Sequence, residues 1–155
     1  MLHRREIVFI REFLPSDLGR VYEIEVNSFK ETYDIAMLKG LANIGAGFLV
    51  AVEDDLVVGY IIFWLKEENV GHIISLAVDE KFRGQHIATK LLIMAVNILR
   101  NCSIFKISLE VRVSNEVAVG FYKKFGFEID RKVPSYYNDG DDAYIMFLNC
   151  SSLTN

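Results

Sequence analysis

Residues 71–90, GHIISLAVDEKFRGQHIATK, constrain this chain more than any other stretch. An apolar run over 73–78 reads as a buried strand. An acidic-basic turn follows, and Arg83-Gly84-Gln85-His86-Ile87-Ala88 then opens a helix. A loop feeding a helix N-terminus presents backbone N–H groups that have no intrahelical acceptor, together with the positive end of the helix dipole. That arrangement seats phosphate, so a phosphorylated cofactor or substrate is expected.

At 155 residues the chain is expected to form one domain, burying roughly 70% of its unfolded surface. Half of it is hydrophobic (52%) and a quarter charged (25%), a globular rather than a disordered balance. No apolar run approaches the roughly 18 residues of a membrane helix; the longest, 91–99, is interrupted by Asn97. The N-terminus, with His3, Arg4, Arg5 and Glu6 ahead of any apolar stretch, has no signal-peptide core. Cys102 and Cys150 are too far apart for a metal or redox motif and fit a reducing cytoplasm. A net charge of −4 argues against nucleic acid and suits a cationic substrate better.

Strands and helices alternate along the chain. A short strand over 6–11 ends before Pro15, and Ser16-Asp17 reads as a helix N-cap. The helix behind it carries Leu18, Val21, Tyr22, Val26 and Phe29 as its apolar stripe, and a second helix spans 33–43. Strands at 48–52 and 56–64 are joined by Glu53-Asp54-Asp55 as a hairpin. The strand at 71–79, a helix over 87–100 buried on most sides, and a strand over 104–113 follow. Ser114-Asn115 caps a helix to 125, with Gly126 just past its C-terminus. Strands at 127–131 and 143–148 enclose a polar loop, 134–142, and a tail from 149 is expected to fray. The chain reads as α/β with a mixed sheet.

This element order, centred on the 71–90 segment, resembles the GNAT superfamily of N-acetyltransferases. The Arg83–Ala88 run fits the family's Arg/Gln-x-x-Gly-x-Gly/Ala signature, with His86 where glycine is usual. Ser114-Asn115-Glu116 and Phe121-Tyr122-Lys123-Lys124-Phe125-Gly126-Phe127 look like its second cofactor-contacting segment. Leu109-Glu110-Val111-Arg112 and the stretch from Tyr136-Tyr137 to Ala143-Tyr144 are similar to enzymes that acetylate protein N-termini. Among these are the ribosomal-protein alanine type and the archaeal and eukaryotic catalytic subunits. The resemblance covers residues 5–148. It implies a mostly antiparallel sheet of about seven strands with about four helices, and a V-shaped splay between strands 4 and 5.

The implied chemistry is attack of an amine on the thioester of acetyl-coenzyme A, with no metal. Arg83, Gly84, Gln85, His86, Ile87 and Ala88 would hold the pyrophosphate. Leu76, Ala77 and Val78 would pair with the pantetheine arm and supply an oxyanion-stabilising amide. Asn115 would both cap its helix and contact the cofactor, and Tyr122 would be the general acid at the departing sulfur. A histidine at 86 must keep an ordinary dihedral or accept strain, so binding is expected to be weakened, not abolished.

An α-amino group, with a pKa near 8, is already about one-tenth neutral at pH 7; lysine needs roughly 3.4 kcal/mol more deprotonation work. A modest base acting through water therefore suffices for an N-terminus. Glu110, Glu31 and His72 are the candidates. Glu110 projects into a cleft, carries a raised pKa, or serves as a structural partner of Arg112 or another cation. Glu31 is a catalytic carboxylate or a solvated loop residue. His72 orders the activating water or is a satisfied strand histidine. Phe29, Glu31, Tyr33, Tyr136 and Tyr137 would recognise a peptide N-terminus, with Tyr122, Tyr136 and Tyr137 alternatively serving as packing residues. Asp139, Asp141 and Asp142 read as a solvated acidic turn, short of a calcium ligand set. Two rival functions remain: acetylation of a polyamine or antibiotic, and a non-catalytic acetyl-coenzyme A-binding module.

Overall fold

The computed structural model describes residues 7–152. Residues 1–6 and 153–155, which include the N-terminal basic residues and the end of the tail, lie outside the described residues. The elements run β1 (Val8–Glu12), α1 (Leu18–Ser28), α2 (Ile35–Asn43), β2 (Gly47–Glu53), β3 (Leu56–Glu67) and β4 (Val70–Val78). They continue as α3 (Ile87–Asn101), β5 (Lys106–Arg112), α4 (Glu116–Phe125), β6 (Glu128–Val133) and β7 (Ala143–Asn149). The sheet order is β1-β2-β3-β4-β5-β7-β6, the expected mixed sheet. β4 and β5 pair in parallel, from Val70 opposite Lys106 to His72 opposite Ser108, and β4 then continues past its last registered pair to Val78. β1–β2, β2–β3, β5–β7 and β6–β7 are antiparallel.

The described residues fall into two compact units. One is drawn from residues up to Phe63 together with Ser75–Ala95, the other from Trp64–Ile74 and residues from Val96 onward. In the first, β2 is buried nearly throughout because its run FLVAV is apolar on both faces. It packs with Tyr60, Ile61 and Ile62 of β3, Val21 and Ile24 of α1, Leu38 of α2, and Leu91 and Leu92 of α3. Asp54 (φ 47°) and Asp55 (φ 63°) turn β2 into β3 with both central residues left-handed, as a two-residue hairpin requires. Asp34 caps α2, its carboxylate accepting from Met37 N at 2.8 Å.

Two expectations for this unit need correction. The α1 stripe is rotated: Val21, Ile24 and Glu25 face inward, while Val26 is 44% exposed. Asp17 precedes α1 but makes no side-chain cap. Its carboxylate takes a two-pronged bond from Arg11 (2.7 and 3.0 Å) and the Leu14 amide (2.7 Å) instead. A charged donor outcompetes the helix amides for the same oxygens. Burial works against that carboxylate's ionisation, but Arg11 and the Leu14 amide together hold its pKa below the usual range.

The core of the second unit is Ile107, Leu109 and Val111 of β5, Ile145, Met146 and Leu148 of β7, and Phe127 after α4. Asn115 caps α4 through Ala118 N at 3.1 Å, as expected. Gly126 ends the helix at φ 127°, with its own amide and that of Phe127 returning to Tyr122 O. Asn149 belongs to β7, Cys150–Ser152 form a short 3-10 turn, and Cys150 is buried with its amide on Phe105 O. The fray expected from Asn149 is thus absent as far as Ser152.

Candidate active site

The second unit builds its site from strand alternation. Parallel pairing sets His72 abreast of Ser108, and Glu110 and Arg112 follow at two-residue intervals on the same face of β5. The His72 ring consequently spans both neighbours. Its Nε2 lies 2.9 Å from Glu110 Oε2 and its Nδ1 lies 2.9 Å from Ser108 Oγ. Lys66 of β3 reaches the other Glu110 oxygen at 3.2 Å. A carboxylate only accepts, so the Nε2 proton points at Glu110; in a neutral ring Nδ1 then accepts the Ser108 hydroxyl proton. Both ring nitrogens are engaged.

Burial pushes the Glu110 carboxyl pKa up. The His72 hydrogen bond and charge, with Lys66 behind them, overcome that and hold it below the ordinary value. The raised-pKa alternative for Glu110 is therefore corrected: two cationic partners stabilise the ionised form. The expected pairing of Glu110 with Arg112 is also replaced, by Lys66 and His72.

Arg112 turns instead to the 134–142 loop. It donates to both Asp139 oxygens at 2.9 Å, reaches Asp141 at 3.3 Å, and lies over the Tyr137 ring at 4.0 Å. Ser114 also donates to Asp141, and Asp142 accepts from the Ser135 amide at 2.8 Å. The acidic turn is thus an anchor for a guanidinium, not merely a solvated bend. Among the described residues no group of three or more His, Cys, Asp or Glu could hold a metal ion.

That anchoring sets the two tyrosines edge to face, with ring centroids 4.9 Å apart. Burial raises the Tyr136 pKa, and the Glu110 charge adds to the effect. Burial, Tyr136 and Glu110 push Tyr137 up to about 12 against the opposing pull of Arg112. Tyr122 of α4 is buried edge-on to Phe121 and Phe127, and burial followed by the neighbouring Tyr137 raises its pKa. This unit therefore gathers five predicted residues, His72, Glu110, Tyr122, Tyr136 and Tyr137, into one electrostatically connected group. Lys66 and Ser108 were not anticipated. Ser108 could have been found from its two-residue spacing to Glu110, whereas nothing in the sequence marks Lys66.

The first unit holds the predicted phosphate turn. Arg83 Nε donates to Val78 O at 3.1 Å, tying the turn to the end of β4, and Arg20 grips Asp79 beside it. Gly84 (φ 80°) and His86 (φ 61°) are both left-handed, and His86 O accepts the Lys90 amide at 3.1 Å as α3 begins. His86 has taken the strained alternative: it adopts the backbone conformation that a glycine would adopt at little cost. A Cβ built on Gly84 meets nothing within 4 Å, so the turn is open on that side. An open left-handed turn leading into a long helix suits a diphosphate, the charged part of coenzyme A. Phe29, Glu31 and Tyr33 lie in the irregular segment between α1 and α2 of this same unit. Glu25, Tyr60 and Ser75 form a buried polar cluster here that the sequence reading did not include. Its one signal was the spacing 18-21-25-28, which places Glu25 on the inward face of α1.

Residues 18–127 match the acetyltransferase (GNAT) family. An N-alpha-acetyltransferase of Saccharolobus solfataricus is 35% identical over 150 residues, covering 88% of this chain and 90% of the relative. A putative ribosomal protein bS18-alanine N-acetyltransferase of Bacillus subtilis is 36% identical over 142 residues, covering 90% and 93%. Ard1 from Thermoplasma volcanium superimposes with a TM-score of 0.88 at 34% identity, covering 92% of this chain and 97% of that one. The chain belongs to the GNAT family and is an acetyltransferase whose acyl donor is acetyl-coenzyme A.

Proposed function

We propose that this chain, acting as one cytoplasmic acetyltransferase domain, transfers the acetyl group to the α-amino group of protein N-termini by direct attack within a ternary complex. The observation that carries the reading is the Glu110–His72 pair with Tyr136 and Tyr137 in its field. Relatives named as N-alpha-acetyltransferases and as a bS18-alanine acetyltransferase support the same substrate class.

Glu110 is ionised at neutral pH because its pKa is held down. It attracts the substrate ammonium and, through water, takes the proton released as the amine attacks. Its low basicity is no obstacle, since about a tenth of α-amino groups are neutral at pH 7 without help. His72, with both nitrogens occupied, orients Glu110 and is a positioning residue rather than the proton acceptor. The amine nitrogen bonds to the thioester carbon, the C–S bond breaks, and the thiolate departs toward Tyr122. With its pKa raised well above that of a thiol, Tyr122 acts as a hydrogen-bond donor to the developing sulfur charge. The main-chain donors of Leu76, Ala77 and Val78 serve the oxyanion and the pantetheine arm. The Arg83–Ala88 turn and Asn115 hold the rest of the cofactor, and Phe29, Glu31 and Tyr33 face the peptide.

The test offers short peptides with free or blocked N-termini, and a polyamine, in parallel. Acetylation confined to free N-termini is the expected outcome. Preference for the polyamine would instead support a small-amine enzyme, and no turnover a binding module.

A further inference from the structure

Glu25 is 1% exposed, and the mechanism above gives it no part. Its carboxylate accepts the Tyr60 hydroxyl at 2.7 Å, the Ser75 hydroxyl at 3.0 Å and the backbone N–H of Tyr33. Its own carbonyl oxygen accepts the Phe29 amide at 3.2 Å as α1 ends. One residue thus holds both ends of the segment from Phe29 to Tyr33, by main chain at one and side chain at the other. That segment has no helix or strand of its own, and fixing each such residue costs about 1–2 kcal/mol in backbone entropy. A buried carboxylate is itself expensive, and a well-packed apolar residue in its place is often no less stable. Its presence therefore calls for a role other than stability.

We infer that Glu25 is a positioning residue for the acceptor substrate: it staples the Phe29–Tyr33 segment into the shape that receives the peptide N-terminus. The inference rests on the proposed reading of Phe29, Glu31 and Tyr33 as substrate contacts. Tyr60 and Ser75 hold the carboxylate from β3 and β4, and the carboxylate holds the segment. Removing the acceptor should free the segment without touching the cofactor turn at 83–88.

Two readouts test this together. Hydrogen exchange should find the Tyr33 amide of the wild-type protein strongly protected, on the order of 100-fold over an open amide. In Glu25→Gln, which keeps the shape but turns one acceptor into a donor, that protection should vanish. Peptide KM should rise about tenfold, with the acetyl-coenzyme A KM within twofold of wild type. Glu25→Asp, which withdraws the charge by one methylene, should show the same split. Tyr60→Phe removes a donor but leaves the Tyr33 link, so it should lower the melting temperature and leave peptide KM unchanged. The inference is overturned if the wild-type Tyr33 amide exchanges like an open one, which needs no variant to fold. A joint rise of both KM values, or a fall in melting temperature alone, overturns it equally. Should the wild-type protein acetylate no free N-terminus, the substrate reading has failed instead. The staple then stands or falls on the Tyr33 exchange.

Discussion

Glu25 and Glu110 are the same side chain in opposite circumstances. Glu25, in the first unit, meets neutral donors: two hydroxyls and an amide. Burial dominates and its pKa rises. Glu110, in the second, meets an imidazole and an ammonium, and its pKa falls although burial opposes the shift. The charge of the donors, more than their number, decides whether a sequestered carboxylate stays ionised. A raised pKa marks the residue that organises the fold locally, and a lowered one marks the residue ready to meet a cation.

The comparison can be broken most decisively at Glu110. Glu110→Gln should lower kcat/KM for a free N-terminus by about 100-fold or more, at the level seen when an acid–base group is removed. Loss below about threefold in steady-state assays would return the base role to Glu31. Tyr122→Phe is expected next, at roughly 10- to 100-fold in kcat, the worth of a hydrogen bond to a charged group. The variant keeps the buried ring stack, so an unchanged kcat would leave Tyr122 a packing residue.

The two carboxylates should also carry opposite pH signatures in denaturant titrations. Glu110, with a depressed folded pKa, contributes stability that is present above its unfolded value and lost as pH falls through the folded one. Glu25, with an elevated folded pKa, binds its proton more tightly when folded, so its contribution declines as pH rises between the unfolded and folded values. Stability differences between wild type and each Gln variant should therefore slope in opposite directions, and parallel slopes would refute the contrast.

Smaller effects refine it. Lys66→Met should let the Glu110 pKa rise and shift the acid limb of kcat/KM upward. The change would be about twofold to fivefold in rate on that limb, as befits a partly exposed pair. His86→Gly trades left-handed strain against chain entropy and should raise stability by no more than about 1 kcal/mol, or roughly 2–4 °C in Tm.

Much of this was legible in the residues. The β4–turn–α3 passage, the Asn115 cap and the Gly126 stop were visible because each depends on local periodicity or on a single residue's backbone preference. Asp17 misled because its partner, Arg11, sits on another element, and capping rules see only the helix ahead. Glu25 was hidden for a related reason. A charged residue in a helix stripe reads as solvent-facing unless its distant donors, here on β3 and β4, are known. Glu110 and His72 were named separately, but their contact depends on the parallel register of β4 with β5, which local patterns do not encode.

The hairpin before β7 is fastened through Arg112 at residues 139 and 141 and under the Tyr137 ring, while Tyr136 remains half exposed. Anchorage and display are thus divided between different positions of one short turn. Mutational drift at Tyr136 is cheap for folding, so a lineage, or a randomised library, could explore new acceptor preferences there without dismantling the scaffold beneath.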